Sequence, residues 1–192
     1  MPRPLSEEKR KAVLAAATRT IAAQGLGVST AAIAKEAGVA AGSLFVYFET
    51  KSVLLNELYL ALKAEMGSAA VAGLPAEGET RELVQHMWTQ WLAWAATNPE
   101  KRSTLAQLQV AEEITEDSHR FVSDSQRVMA GLIERARSAG PMGDAPLGFV
   151  LTLATAIADA TMDAMIREPA HADDRSAVAF EALWRMLTGP TS

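Results

Sequence analysis

The chain has 192 residues, of which 49% are apolar, and a formal net charge of −5. This length suits one or two domains with a sizeable core. The lack of cysteine excludes disulfides, thiolate zinc sites and a thiol nucleophile. No apolar run follows a basic start, and the apolar stretch at 145–166 carries Asp159 and Asp163. We therefore expect a soluble, cytoplasmic protein with no membrane-spanning segment.

The charge is divided unevenly along the chain. Residues 1–52 hold seven basic and four acidic side chains, a net of +3, so the remainder carries −8. A basic segment attached to an acidic body attracts phosphate at one end and repels nucleic acid elsewhere. This asymmetry favours a nucleic-acid contact near the N-terminus.

Capping and breaking residues predict an all-α chain of about nine helices. Ser6 caps the first helix, which ends at Gly25, and two short helices lie between Ser29 and Phe48. The remaining six predicted helices span about 51–72, 80–98, 100–113, 116–138, 145–167 and 173–188.

The segment 29–51 is the most informative part of the sequence. Ser29 can cap a short helix, and Gly38 can adopt the left-handed conformation at its end. A second helix begins two or three residues after Val39, and Thr50 caps a third helix that starts at Lys51. Two helices joined by a short turn containing glycine form a helix-turn-helix, whose second helix can lie in the DNA major groove.

The order and spacing of this segment, within residues 6–58, resemble the N-terminal domain of the TetR (tetracycline-repressor) family of bacterial transcriptional regulators. The resemblance is carried by Ser29-Thr30, Ile33-Ala34, Ala37-Gly38-Val39, Gly42-Ser43-Leu44-Phe45, Tyr47-Phe48 and Lys51 with Leu54-Leu55. It implies a DNA-binding domain at 1–52 and a ligand-binding and dimerisation domain at 53–192. It further implies a repressor that binds a near-palindromic operator as a homodimer and is released by a small apolar or amphipathic effector.

The resemblance also implies which residues contact double-stranded DNA. The matching positions are Thr30, Ala41, Gly42, Ser43, Phe45, Tyr47 and Lys51. Positions 31 and 41 are often long and polar in relatives and are alanine here, so base reading depends more on Ser43, alanine methyl groups and DNA shape. Leu44 and Phe48 are better explained as core. For Lys9, Arg10 and Lys11, a solvated helix face is favoured over a phosphate clamp.

A tryptophan-rich helix marks the predicted effector region. Trp88, Trp91 and Trp94 fall within seven residues, but their spacing places them on different arcs, so the three cannot all point inward. Plain core packing is the alternative for any one of them. Since the family encloses its effector among helices 4 to 8, the predicted ligand contacts are His86, Trp88, Trp91, Gln107, Leu108, Phe121, Asp159 and Met162.

The last two predicted helices, the eighth and ninth, have wide apolar stripes. The resemblance implies that they pair with their mates in a four-helix dimer interface. The predicted interface residues are Phe149, Leu153, Ala156, Ala160, Phe180, Leu183, Trp184 and Leu187.

Two other classes of function compete with a regulator. A helical carrier of lipids or small molecules that does not bind DNA is compatible with the weak base-reading positions. An enzyme finds little support, because the three histidines are dispersed and no glycine-rich phosphate loop is present. Glu112, Glu116 and His119 would share a face suited to a metal only if the helix were continuous, which a cap at Thr115 opposes. No catalytic residue, metal site or cofactor is predicted.

Overall fold

The computed structural model describes residues 6–121 and 124–190. This part of the chain contains ten α-helices, a short 3-10 turn at Pro169–His171 and no strand, so the all-α prediction is confirmed. The helices are α1 (Glu7–Gln24), α2 (Thr30–Glu36), α3 (Ala41–Tyr47), α4 (Lys51–Val71), α5 (Thr80–Thr97), α6 (Pro99–Gln109), α7 (Glu116–Arg120), α8 (Asp124–Arg137), α9 (Leu147–Arg167) and α10 (Ala172–Thr188).

The helices form two compact units. The first contains the described residues up to Lys63 together with Asn98–Phe121, and the second contains Ala64–Thr97 together with the described residues after Phe121. The units do not coincide with a division after residue 52. The proposed division after residue 52 is one of function, and it stays a prediction.

Local side-chain chemistry sets the helix ends of the first unit. Ser6, Ser29 and Thr50 accept hydrogen bonds from backbone N–H groups three residues ahead, at 3.4, 3.1 and 3.1 Å. Gly38 has φ +69°, the left-handed conformation that lets α2 stop and the chain turn into α3. These capping predictions are confirmed.

The predicted helix at 116–138 is wrong as one element, because α7 ends at Arg120 and α8 begins at Asp124. Thr115 caps α7, acidic residues occupy its first turn and basic residues its last, so this short helix is complete by itself. Phe121 then adopts an extended conformation. Polar contacts from α4, described below, stabilise α7 in a way that helical periodicity does not reveal.

Helix α5 lies at the centre of the second unit, where α8, α9 and α10 all pack against it. Trp88, Trp91 and Trp94 are consequently all buried, at 2, 7 and 6% exposure. The expectation that the three could not all point inward is therefore wrong. A helix that is covered on several sides has more than one inward-facing arc.

Candidate nucleic-acid interface and regulatory unit

Helix α3 has one face in the core and one face in solvent. Leu44 and Phe48 are fully buried one turn apart, which confirms the core assignment made for both. On the opposite face Phe45 and Val46 are 49 and 62% exposed. Two neighbouring apolar side chains thus form an exposed patch, which makes this face a candidate contact surface.

The outward face of α3 contains four of its seven residues. Ala41 and Gly42 at its start are exposed, and Phe45 and Val46 lie one turn further on. Val46 was missed from the sequence, although its spacing of four from Gly42 places it on this face. Ser43 and Tyr47 are half-buried at the edge of α3, and the role of all these residues in DNA contact stays a prediction.

Lys51 is held in place by the first unit itself. Its Nζ donates to the backbone carbonyl of Leu26 over 2.6 Å, and it lines a cavity of about 580 Å³ with Glu112 and Glu113. An ammonium has three donors, so two remain for an external acceptor. Thr30, the first residue of α2, is half-buried.

Asn56 joins α4 to the segment around α7. Its Oδ1 accepts from Thr115 N at 2.9 Å and from Ser118 Oγ at 2.7 Å. Its Nδ2 donates to the carbonyls of Glu113 and Ser52, at 2.7 and 2.8 Å. One Nδ2 donor and the Oδ1 acceptor of this side chain therefore tie α4 to residues 113–118, while the other donor bonds within α4 itself.

Replacing Asn56 with alanine is expected to lower the free energy of unfolding by about 2 kcal/mol, because several hydrogen bonds are lost and their partners are left without replacements. Urea denaturation followed by circular dichroism measures the change. The matched control is Ser52→Ala, which removes one hydroxyl bond to the Glu113 carbonyl and should cost about 0.5 kcal/mol. Equal effects of the two variants would contradict the central role of Asn56.

Tyr59 adds a second connection one turn along α4. Its hydroxyl lies 3.2 Å from Nδ1 of His119, and the two rings meet edge to face. The ammonium of Lys63 lies 5.0 Å from the centre of the Tyr59 ring. Burial raises the pKa of the Tyr59 hydroxyl and lowers the pKa of Lys63, so Tyr59 keeps its proton at neutral pH.

The face that would suit a metal does not form. Thr115 separates α6 from α7, so Glu112, Glu116 and His119 do not share one helix. Across residues 6–121 and 124–190, no three His, Asp or Glu side chains lie close enough together to hold an ion.

Five of the predicted ligand contacts belong to the second unit. Trp88 and Met162 are buried in its core, whereas His86 and Asp159 are half-buried. Trp88 Nε1 lies 3.2 Å from the carbonyl and the hydroxyl of Ser176, and His86 Nε2 lies 2.8 Å from the Ala72 carbonyl. The buried Nε1 of Trp91 has no acceptor among the residues described.

The other three predicted ligand contacts belong to the first unit. Gln107 Nε2 donates to the Ile21 carbonyl at 3.3 Å, Leu108 is fully buried, and Phe121 is 51% exposed. Gln107 and Leu108 are thus used in packing α6 within the first unit. A role for the three in effector binding stays a prediction.

The predicted dimer residues divide between the protomer core and its surface. Phe180, Leu183 and Leu187 are at most 2% exposed in the single chain, so they are not available to a partner and their assignment is wrong. They pack inward, where the Phe180 ring lies 6.4 Å from Trp88. The wide stripe on α10 covers two faces, and these three residues lie on the inner one.

The outer faces of α9 and α10 retain the remaining predicted interface residues. Phe149 is 54% exposed, Ala156 and Ala160 are exposed, and Leu153 and Trp184 are half-buried. Between the two helices runs a groove of about 720 Å³. Its lining includes Ile157, Ala160, Ala164, Val178, Ala179 and Ala182.

Part of the sequence and the whole fold are similar to those of known proteins. Residues 13–58 match the family model of bacterial regulatory proteins, tetR family. A protein from Shewanella sp. PV-4 classed with the tetR family of transcription regulators is 26% identical, with 92% of this chain and 96% of that one aligned and a TM-score of 0.83.

Two further solved structures share the fold at lower identity. A TetR family transcription regulator from Marinobacter aquaeolei VT8 is 19% identical, covering 94% of this chain and 96% of that one, with a TM-score of 0.81. The transcriptional regulator FadR from Bacillus subtilis, solved in complex with stearoyl-CoA, is 14% identical, covering 94 and 99%, with a TM-score of 0.69.

Proposed function

We propose that this chain, whose residues 13–58 match the family model of bacterial regulatory proteins, tetR family, is a cytoplasmic repressor of that family. It binds a near-palindromic operator as a homodimer and leaves it when a small apolar or amphipathic effector binds. The observation that carries the proposal is the outward face of α3. Helix α3 follows the turn that ends α2, and it lies within a basic N-terminal segment.

The DNA-binding proposal rests on shape and charge together. Side chains on the exposed face of α3 enter the major groove, while the net charge of +3 on residues 1–52 is attracted to phosphates. Phe45, Val46 and Ala41 offer apolar groups to thymine methyls, and Ser43 offers the one hydroxyl early in the helix. In a dimer, two copies of α3 enter successive major grooves about 34–36 Å apart.

The dimer proposal rests on the apolar surface of α9 and α10. Helix α9 is long and apolar enough to cross a membrane by length and composition, yet only 28% of its most apolar window is buried in the single chain. Water would meet a contiguous apolar surface there, which monomeric proteins seldom tolerate. A second copy of the chain, related by a two-fold axis, covers this surface.

The effector proposal centres on Trp91. A buried N–H without an acceptor costs about 1–3 kcal/mol, and Trp91 Nε1 is such a group. An effector that combines an apolar body with one acceptor atom would bury the first and satisfy the second. Trp91 thus supplies the polar contact that orients an amphipathic ligand.

We expect Trp91→Phe to lower the free energy of unfolding by about 1–3 kcal/mol less than Trp88→Phe does. Both changes remove the same atoms from one helix, but only Trp88 Nε1 donates to a partner, at Ser176. Guanidinium denaturation of both variants measures the difference. Equal losses of stability would contradict the view that the Trp91 N–H is unsatisfied in the free protein.

Effector and operator are proposed to select different conformations of the same dimer, with the effector shifting α4. An effector releases DNA only to the extent that it prefers one state, and a tenfold change requires about 1.4 kcal/mol. Stearoyl-CoA is a rational first probe, since the FadR fold relative binds it. A probe that binds tightly and leaves operator affinity unchanged would contradict the coupling.

Fluorescence anisotropy with fragments of the gene's own upstream region tests the proposed function. A repressor should retain one fragment specifically, and its affinity should fall steeply with salt, since each neutralised phosphate adds about 0.9 to the slope of log K against log salt. A carrier of small molecules with the same fold would bind every fragment weakly or not at all. That result would favour the carrier.

A further inference from the structure

The three consecutive basic residues of α1 have separate roles in the structure. Arg10 forms an ion pair with Glu57 of α4, and its guanidinium carbon lies 5.3 Å from the centre of the buried Phe48 ring. It is therefore used inside the first unit. Lys9 and Lys11 are both exposed, and neither ammonium forms an ion pair with the residues described.

Lys9, unlike Lys11, lies beside the helix-turn-helix. It lines a groove of about 230 Å³ together with Gly38, Val39 and Ala40 of the turn and with Ser43, Val46 and Tyr47 of α3. A helix advances about 100° per residue, so Lys11 lies about 200° away from Lys9 around α1. Lys11 is accordingly not part of this lining.

The groove combines one free positive charge with two hydroxyls. Tyr47 is half-buried, and its hydroxyl has no partner among the residues described, while Ser43 stands one turn before it on α3. No acidic side chain lines the groove. A compact cation with neighbouring donors suits a phosphate oxygen rather than the edge of a base, because a lysine acts as a point charge.

We propose that Lys9 of α1 adds to the predicted DNA contacts of Ser43 and Tyr47, so that this groove binds a backbone phosphate at the edge of the operator's major groove. The assignment rests on the proposed function and adds to it a contact from α1. Lys9 neutralises the phosphate, and the hydroxyls of Tyr47 and Ser43 donate to its oxygens. The contact fixes the register of α3 on the duplex and carries no sequence information of its own.

The test compares Lys9→Gln with Lys11→Gln in the full-length protein, by measuring the affinity for operator and for scrambled duplex from 50 to 300 mM salt. Lys9→Gln should raise Kd about tenfold on both duplexes and lower the salt slope by about 1. Lys11→Gln should leave the slope unchanged. Tyr47→Phe, which removes no charge, should raise Kd on both duplexes at an unchanged slope.

Three results would overturn the assignment. The first is a salt slope of Lys9→Gln equal to that of the parent protein. The second is a salt slope of Lys11→Gln lowered as much as that of Lys9→Gln. The third is a loss of affinity of Lys9→Gln for the operator alone, which would mean that Lys9 reads a base. Thermal melting of each variant checks that the fold is retained. A parent protein that binds no duplex in a salt-dependent way contradicts the proposed function instead, so the two failures are distinguishable.

Discussion

Phe48→Ala should lower the free energy of unfolding by about 3–5 kcal/mol, the usual cost of truncating a fully buried aromatic side chain. Phe48 is at 0% exposure, and the Arg10 guanidinium covers its ring. Since small domains are stable by only about 5–15 kcal/mol, the protein should lose a large share of its stability, and operator binding should weaken with it. Thermal denaturation and anisotropy measure the two effects.

Phe45→Ala is the matched control, because it removes the same side chain three residues earlier, within α3, at a position that is 49% exposed. Its stability should change by no more than about 0.5 kcal/mol, while operator affinity should fall about tenfold through the loss of an apolar contact in the groove. If Phe45→Ala destabilised the fold as much as Phe48→Ala, or left operator affinity intact, the outward assignment of this face would be wrong.

Val178→Asp should convert the protein into a monomer and weaken operator binding by about a hundredfold or more. Val178 is 72% exposed and lines the groove between α9 and α10. If a second copy covered the groove, a carboxylate at this position would lose most of its contact with water, and burying a charge is costly. Monomers lose the linkage between two half-site contacts, which is worth about 10²–10⁴ in affinity.

Analytical ultracentrifugation and anisotropy measure these two results. The matched control is Val128→Asp, the same substitution on α8 at a position that is 44% exposed and does not line the groove. It should leave both the association state and DNA binding unchanged. A Val178→Asp protein that remains dimeric would mean that the α9–α10 surface is not the contact between copies.

Local features of the fold could be predicted because their causes are local. Ser6, Ser29 and Thr50 act on backbone groups three residues away, and Gly38 acts on its own φ angle. The pairing of Arg10 with Glu57, by contrast, joins residues 47 positions apart, and nothing near Arg10 distinguishes it from Lys9 or Lys11. Only the packed structure separates the three.

Amphipathic patterns are ambiguous in a different way. The apolar stripe of α10 indicates burial without saying against which neighbour, so Phe180, Leu183 and Leu187 looked like interface and are core. The expectation for the three tryptophans on α5 was wrong for the same reason. How many helices pack around α5 depends on the tertiary structure, and the spacing of the tryptophans does not report it. The break after Arg120 depends on bonds from α4, which no periodicity records.

The bonds that Ser52, Asn56 and Tyr59 make to residues 113–119 occupy successive turns of α4. Hydrogen bonds weaken steeply once their length or angle departs from the optimum. An effector that shifts α4, as proposed above, would therefore either carry residues 113–119 along with the helix or have to break these bonds. If the bonds broke together, the proposed response to the effector would be switch-like rather than graded.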